Sequence, residues 1–219
     1  AYEYRKNFGM QLAKESDVDA DIVVPVPDSG VPAALGYAQY SKKKFELGLI
    51  RNHYVGRTFI LPTQSNRQSS VKLKHNPDRG SIKGKSVVLV DDSVVRGTTS
   101  VKIVELMKEA GASEIHMRIA CPPIKYPDFY GIDTPETEQL LASNKSLDEM
   151  CKHIGADSLG FLSLDGLYQS MGYKKGRSSD NPEYTDHCFT GDYPTNLNDY
   201  KSEKIQEQLS LLSENESQN

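Results

Sequence analysis

Two adjacent carboxylates, Asp91 and Asp92, stand directly before a loop rich in glycine and hydroxyl groups in the stretch VVLVDDSVVRGTT, residues 87–99. Arg96, Gly97, Thr98 and Thr99 offer a guanidinium, backbone N–H groups and two hydroxyls. A helical pattern starts just beyond them, so its positive dipole end faces the same place. That combination is an anion site and fits a phosphate. Gly97 lets the backbone approach the ligand closely. The two acids would repel that phosphate; they suit hydroxyls or a hard cation. Phosphate, vicinal hydroxyls and Mg²⁺ together describe a ribose 5-phosphate that carries a diphosphate. A plain loop cap would account for one acid but not for the pair. No lysine follows the glycine as in a Walker loop, and GxGxxG is absent.

The elements that must position these groups are legible on either side. Val87 to Val90 form a short continuous apolar run, the mark of a strand buried on both faces. Val101, Val104 and Lys108 recur at helical spacing, and Gly111 is placed to end that helix. A second strand–loop–helix unit lies upstream: strand 22–26, the turn Pro27, Asp28, Ser29, Gly30, and helix 31–40. Pro25 in that strand marks its end or an irregularity. Further predicted elements are a helix over 2–15 without a proper N-cap, strands over 45–50, 115–120 and 158–163, and helices over 136–143, 146–154 and 165–171. Asp133 or Thr134 is expected to cap the helix over 136–143, and Ser146 with Glu149 forms a capping box. Asp17, Asp19 and Asp21 read as a solvated loop. Strands alternating with helices give an α/β domain with a parallel sheet, and ligands of such sheets bind beyond the strands' carboxyl ends.

The 219 residues suffice for one substantial domain, and 37% hydrophobic with 26% charged residues is ordinary for a globular protein. A net charge of −4 argues against nucleic acid or a membrane surface as partner. No apolar run spans a bilayer, no signal peptide opens the chain, and Cys121, Cys151 and Cys188 read as scattered reduced thiols, so a cytoplasmic protein is expected. Residues 51–74 are longer than a compact connection needs and carry Arg57, Arg67, Lys72 and Lys74, which suits a lid over a polyanion; His53 within it reads as structural. Residues 201–212 show a short amphipathic pattern, and 213–219 read as disordered.

VVLVDDSVVRGTT resembles the signature of type I phosphoribosyltransferases, which bind 5-phosphoribosyl 1-diphosphate (PRPP). Together with NHYVGR (52–57) and FYGID (129–133) it is similar to the glutamine PRPP amidotransferase family, over about residues 4–193 and only that enzyme's phosphoribosyltransferase half. The resemblance implies the type I phosphoribosyltransferase fold, a central parallel sheet flanked by helices with a flexible lid and a C-terminal helical extension. The implied division is 1–172 as the domain, 173–212 as an extension packed on it and 213–219 as a tail. It implies PRPP binding by Asp28, Ser29, Gly30, Asp91, Asp92, Ser93, Val95, Arg96, Gly97, Thr98 and Thr99, with Ser29, Asp91 and Asp92 on Mg²⁺. Arg57 and Lys74 would be catalytic, Phe59 and Ile60 would wall an ammonia channel, and Arg51 with Lys72 would touch a regulatory nucleotide. The implied reaction transfers ammonia, drawn from glutamine in the complete enzyme, to C1 of PRPP and opens purine synthesis under feedback by AMP and GMP. A tetramer is implied as well.

Two departures from that pattern set expectations. The family's N-terminal glutaminase domain is not in this sequence, which starts at Ala1, so a fragment or a separate subunit is expected, at most ammonia-dependent. One branch of the family ligates an iron–sulfur cluster with four cysteines; here Asp128 and Thr185 stand at two of those positions and only Cys188 remains near them. One thiolate cannot hold a cluster, so none is expected, although the retained FTGDYP stretch suggests descent from that branch. The competing readings are a non-catalytic PRPP or nucleotide sensor of the same fold, which would need a partner-binding domain, and a salvage enzyme using a free base, which would need a hood pocket.

Overall fold

The structure is a computed structural model and describes residues 1–52, 75–132, 134, 136–180 and 182–197. Strands β1 (Ile22–Pro25), β2 (Lys44–Phe45), β5 (Ser86–Asp91), β6 (Glu114–Ile119) and β7 (Ser158–Phe161) form one parallel sheet in the order β2-β1-β5-β6-β7. A short antiparallel ribbon, β3 (Leu49–Arg51) with β4 (His75–Pro77), stands beside it. The apolar run of β5 is buried throughout because both faces of the sheet are covered. Val87 and Leu89 point into a core with Ile22, Val24, Ile103, Met107, Met150 and Ile154. Val88 and Val90 point the other way, against Leu12, Val23, Ala33 and Tyr37.

Helices α1 (Tyr2–Ser16) and α2 (Val31–Ser41) cover that second face. They touch backbone to backbone through two glycines. A Cβ on Gly9 would lie 1.8 Å from the Ala33 carbonyl oxygen, and one on Gly36 would lie 1.9 Å from that of Lys6. The first face is covered by α3 (Thr98–Glu109) and α4 (Leu147–Ile154). Helix α4 begins with the expected capping box: Ser146 Oγ accepts from the Glu149 N–H while Glu149 accepts from the Ser146 N–H at 2.8 Å. Gly155 ends it in the left-handed region at φ 80°. Replacing Ser146 with alanine should cost about 1 kcal/mol, a fall in Tm of roughly 2–4 °C for a domain of this size, measurable by calorimetry. Helix α5 (Leu164–Ser170) closes the far edge, tied to α1 where Glu15 accepts from the Ser163 N–H and hydroxyl at 2.8 and 2.9 Å.

Four expectations are corrected. The strand over 45–50 is two strands. Phe45 stays with the main sheet, and Leu49 leaves it for the ribbon. Gly48 makes the crossing against Val24 and Ile82, where a Cβ would be 3.1 and 3.2 Å from their side chains. The helix over 136–143 is a 3₁₀ turn (Thr137–Gln139) and a single α-turn (Leu141–Asn144), with Leu140 extended between them. The break follows from a tertiary bond, the Leu141 N–H donating to the Val95 carbonyl at 2.9 Å. Thr134 does not cap this segment; its hydroxyl accepts from the Asp128 N–H. The acids at 17–21 are not simply solvated, since Asp17 pairs with Lys43 at 2.8 Å and Asp21 accepts from the Ser86 N–H at 2.9 Å. Pro25 is the last residue of β1, paired with Val90. The amphipathic pattern at 201–212 and the tail at 213–219 lie outside the described residues, as do His53 and Asp133.

Candidate active site

The sheet order places the switch point between β1 and β5, since the chain moves outward in opposite directions from these two neighbours. Both loops singled out in the sequence leave the sheet there. They are joined at the root, where the Val26 N–H donates to the Val90 carbonyl at 2.8 Å. Between them opens a cleft of about 440 Å³, lined by Ser29 from the first loop and by Asp91, Asp92, Ser93, Val95, Arg96, Gly97, Thr98 and Thr99 from the second.

Gly97 stands at the start of α3 with φ 77° and leads into exposed Thr98 and Thr99. Both threonines line the cleft with the first turn of α3, an arrangement suited to one anion. Arg96 extends outward, its Nε donating to Gln139 Oε1 at 3.0 Å. The turn carrying Gln139 is itself held by the Leu141–Val95 bond, so the irregular segment after β6 braces this loop.

Asp91 ends β5 and is 6% exposed. Burial, and then the charge of Asp92 beside it, push its carboxyl well above the usual carboxylate range. The Asp92 N–H donates to it at 2.8 Å. A buried carboxyl with a half-buried one beside it fits a hard divalent cation, and Ser29 lines the same cleft.

On the other side, Gly30 packs under the first loop. Asp28 faces the ribbon, where Arg51 Nη1 lies 2.8 Å from its Oδ2, and the peptide between Pro27 and Asp28 is cis. Arg51 thus lines the cleft from β3. Nothing local in the sequence pairs residues 28 and 51. Also missed was a second, apolar cavity of about 360 Å³ that adjoins the first at Ser29, Asp92 and Ser93 and is walled by Phe8, Ala33, Cys121, Leu167 and Phe189. Burial, then the charges of Asp92 and Asp91, push the Cys121 thiol far up. Arg57, Lys72, Lys74, Phe59 and Ile60 lie outside the described residues.

The phosphoribosyl transferase domain family matches residues 9–128, from α1 through both cleft loops to the segment beyond β6. The chain belongs to that family. As a phosphoribosyltransferase domain it is similar to the amidophosphoribosyltransferase of Rhizobium etli, with 60% identity over 215 residues, 98% of this chain and 43% of that protein. The amidophosphoribosyltransferase of Bacillus subtilis is 52% identical over 193 residues, 88% of this chain and 40% of the relative. Among solved structures, the glutamine PRPP amidotransferase of B. subtilis, complexed with ADP and GMP, superposes with a TM-score of 0.80 at 51% identity, over 90% of this chain and 43% of that one. This phosphoribosyltransferase domain therefore spans less than half the length of these relatives.

Proposed function

We propose that this domain carries out the phosphoribosyl step of an amidophosphoribosyltransferase: ammonia attacks C1 of PRPP, giving 5-phosphoribosylamine and diphosphate. The observation that carries the reading is the meeting of two anion-binding loops at one switch point with an acidic pair between them. The 5-phosphate takes the Arg96–Gly97–Thr98–Thr99 cradle. Asp91 and Asp92 accept hydrogen bonds from the ribose hydroxyls, and Ser93 and Val95 shape the loop around the ring. The diphosphate lies on Asp28, Ser29 and Gly30.

Asp91, Asp92 and Ser29 would hold Mg²⁺, which when bound supplies charge neutralisation for the departing diphosphate. Neutral ammonia is a competent nucleophile, so no strong base is needed and catalysis rests on positioning and electrostatics. The apolar cavity beside Asp92 and Ser93 suits delivery of a small neutral nucleophile and keeps water from C1. Arg57 and Lys74 are assigned to the leaving group, Phe59 and Ile60 to the ammonia path, and Arg51 with Lys72 to a regulatory purine nucleotide. What supports a nucleotide site of some kind is that the B. subtilis relative was solved with ADP and GMP. A glutaminase domain as nitrogen source, feedback by AMP and GMP, a role in purine synthesis, residues 173–212 as an extension of the domain, a homotetramer and a cytoplasmic site complete the proposal. No helix among the described residues is long and apolar enough to cross a membrane.

The test is diphosphate release from PRPP and Mg²⁺ with either ammonium or glutamine as donor. Ammonium-dependent turnover that disappears with EDTA and returns with excess Mg²⁺ is expected. PRPP binding without turnover under all donors would leave a sensor instead.

A further inference from the structure

Away from the cleft, the segment after β6 meets the single helical turn His187–Thr190. The Cys188 carbonyl accepts from the N–H groups of Lys125 and Tyr126 at 2.8 and 3.1 Å, and the Tyr193 hydroxyl donates to the Pro127 carbonyl at 2.8 Å. These bonds bring Asp128, His187 and Cys188 together, with one ligand atom of each within 4.8 Å of the others. The side chains of Asp128 and His187 are 3% and 6% exposed, so this is an interior arrangement.

Asp128 is fully committed. Its Oδ2 accepts from the N–H groups of Tyr130 and Ile132 at 2.9 and 2.7 Å, and its Oδ1 lies 2.7 Å from His187 Nε2. Burial works against its charge, but the two backbone donors and His187 outweigh it and hold the carboxyl below the usual range. The imidazole also packs against two rings, its centroid 5.0 Å from that of Tyr130 and 5.1 Å from that of Tyr193. Its other nitrogen, Nδ1, is buried and has no hydrogen-bond partner. Interiors pair such atoms almost without exception. A buried imidazole, oriented by a carboxylate through one nitrogen and left open at the other, is the arrangement in which histidine binds metals.

We propose that Cys188 and His187 are direct ligands of a single thiophilic divalent cation of the zinc class, with Asp128 as the positioning residue that holds the imidazole and with water completing the coordination. The thiol of Cys188 gives its proton to solvent as the sulfur–metal bond forms; no electron is transferred. A mixed sulfur, nitrogen and oxygen set favours Zn²⁺ over the hard Mg²⁺. One thiolate suffices for such a site. The ion would lock the turn at residues 187–190 to the loop at 125–132. This inference does not rest on the phosphoribosyl chemistry proposed above.

Co²⁺ titration of the reduced, chelator-stripped protein tests it. One equivalent should bind with a thiolate-to-cobalt charge-transfer band and intensified d–d bands, displaced by Zn²⁺ but not by Mg²⁺. Cys188→Ser should lose the charge-transfer band, and His187→Gln should bind at least ~10-fold more weakly. Asp128→Ala should weaken binding by about 10–100-fold, with partial rescue in Asp128→Asn, which still accepts from the imidazole. Cys121→Ser and Cys151→Ser should keep the band. A readout free of variants is thiol modification of the wild-type chain: one equivalent of Zn²⁺ should protect Cys188 and leave the labelling of Cys121 and Cys151 unchanged. Absence of the band, its survival in Cys188→Ser, or unprotected Cys188 would overturn the proposal. So would iron with labile sulfide in the isolated protein.

Discussion

Asp91→Asn is expected to abolish most turnover and yet to raise the Tm of the unliganded protein. Each hydrogen bond to a charged group contributes about 1.5–3 kcal/mol, and the acidic pair is proposed to hold two ribose hydroxyls. Losing about 3–4 kcal/mol of transition-state binding lowers kcat/KM by roughly 100–1,000-fold. The stability effect has the opposite sign. The folded-state pKa of Asp91 is raised, by burial first and by Asp92 second. Below the ordinary carboxylate value of about 3.9, Asp91 is protonated in both folded and unfolded chains and contributes no difference. As pH rises past that value the unfolded chain ionises freely while the folded chain resists. The native state then binds more protons, and stability is lost up to the raised folded value. Asparagine carries no such penalty. The Tm gap between Asp91→Asn and wild type should therefore be small near pH 4, widen with rising pH and level off above the folded pKa. Mg²⁺ with PRPP should raise the wild-type Tm far more than that of the variant. Scanning fluorimetry from pH 4 to pH 9, beside the diphosphate-release assay, measures both effects. A variant no more stable than wild type at pH 8, or a gap that grows towards acid, would show that Asp91 is not under electrostatic strain.

That strain is the part of the site that the sequence displays most openly. Two acids after four apolar residues can only lie at the buried mouth of a strand, and glycine with two threonines opening a helix can only present N–H groups and hydroxyls. The alternation of Val87 and Leu89 against Val88 and Val90 also follows from the run itself, because a strand covered on both faces has no polar side. What could not be read is whatever depends on contacts between residues distant in the chain. Arg51 meets Asp28 because β3 leaves the sheet at Gly48 and crosses over the first loop. The helix expected over 136–143 breaks at Leu140 because Leu141 bonds to Val95, some forty residues upstream. His187 carries no local signal either. Its neighbour Cys188 is legible only as a lone cysteine, whereas the carboxylate that orients the imidazole comes from Asp128 in another loop. Local periodicity sets which faces are buried; only the packed chain sets which polar groups meet.

Gly30→Ala is expected to be among the most damaging single-methyl changes for activity, through a mechanism unlike that at Gly97. Gly30 has φ −73° and ψ −13°, a conformation open to any residue, so backbone freedom is not the reason for glycine there. The reason is space. A Cβ would lie 2.6 Å from the Val90 carbonyl oxygen and 2.7 Å from that of Val26. Neither oxygen can retreat freely: that of Val90 accepts from the Val26 N–H at 2.8 Å, and that of Val26 accepts from the Gly30 N–H at 3.0 Å. The first of these bonds joins β1 to β5 at the switch point, and the second closes the turn of the first loop. At Gly97 the added carbon would meet Leu141 Cδ2, the end of a side chain that can turn away, and the cost there is about 1–2 kcal/mol for a left-handed alanine. At Gly30 the clash is with engaged backbone, which puts it at or above the upper end of the ~1–3 kcal/mol typical of overpacking. A loss of about 3 kcal/mol corresponds to a Tm lower by roughly 6–12 °C. The folded fraction would carry a displaced Asp28–Ser29 loop. A shift of about 1 Å in groups that position a substrate costs ~100-fold in rate, so kcat/KM for PRPP should fall by about that factor at temperatures where Gly30→Ala remains folded. Steady-state kinetics at low temperature, paired with calorimetry, separates the two losses. Wild-type Tm and wild-type kcat/KM together would mean that the β1–β5 junction yields to a methyl group, and that the diphosphate loop is not held by the contact argued for it.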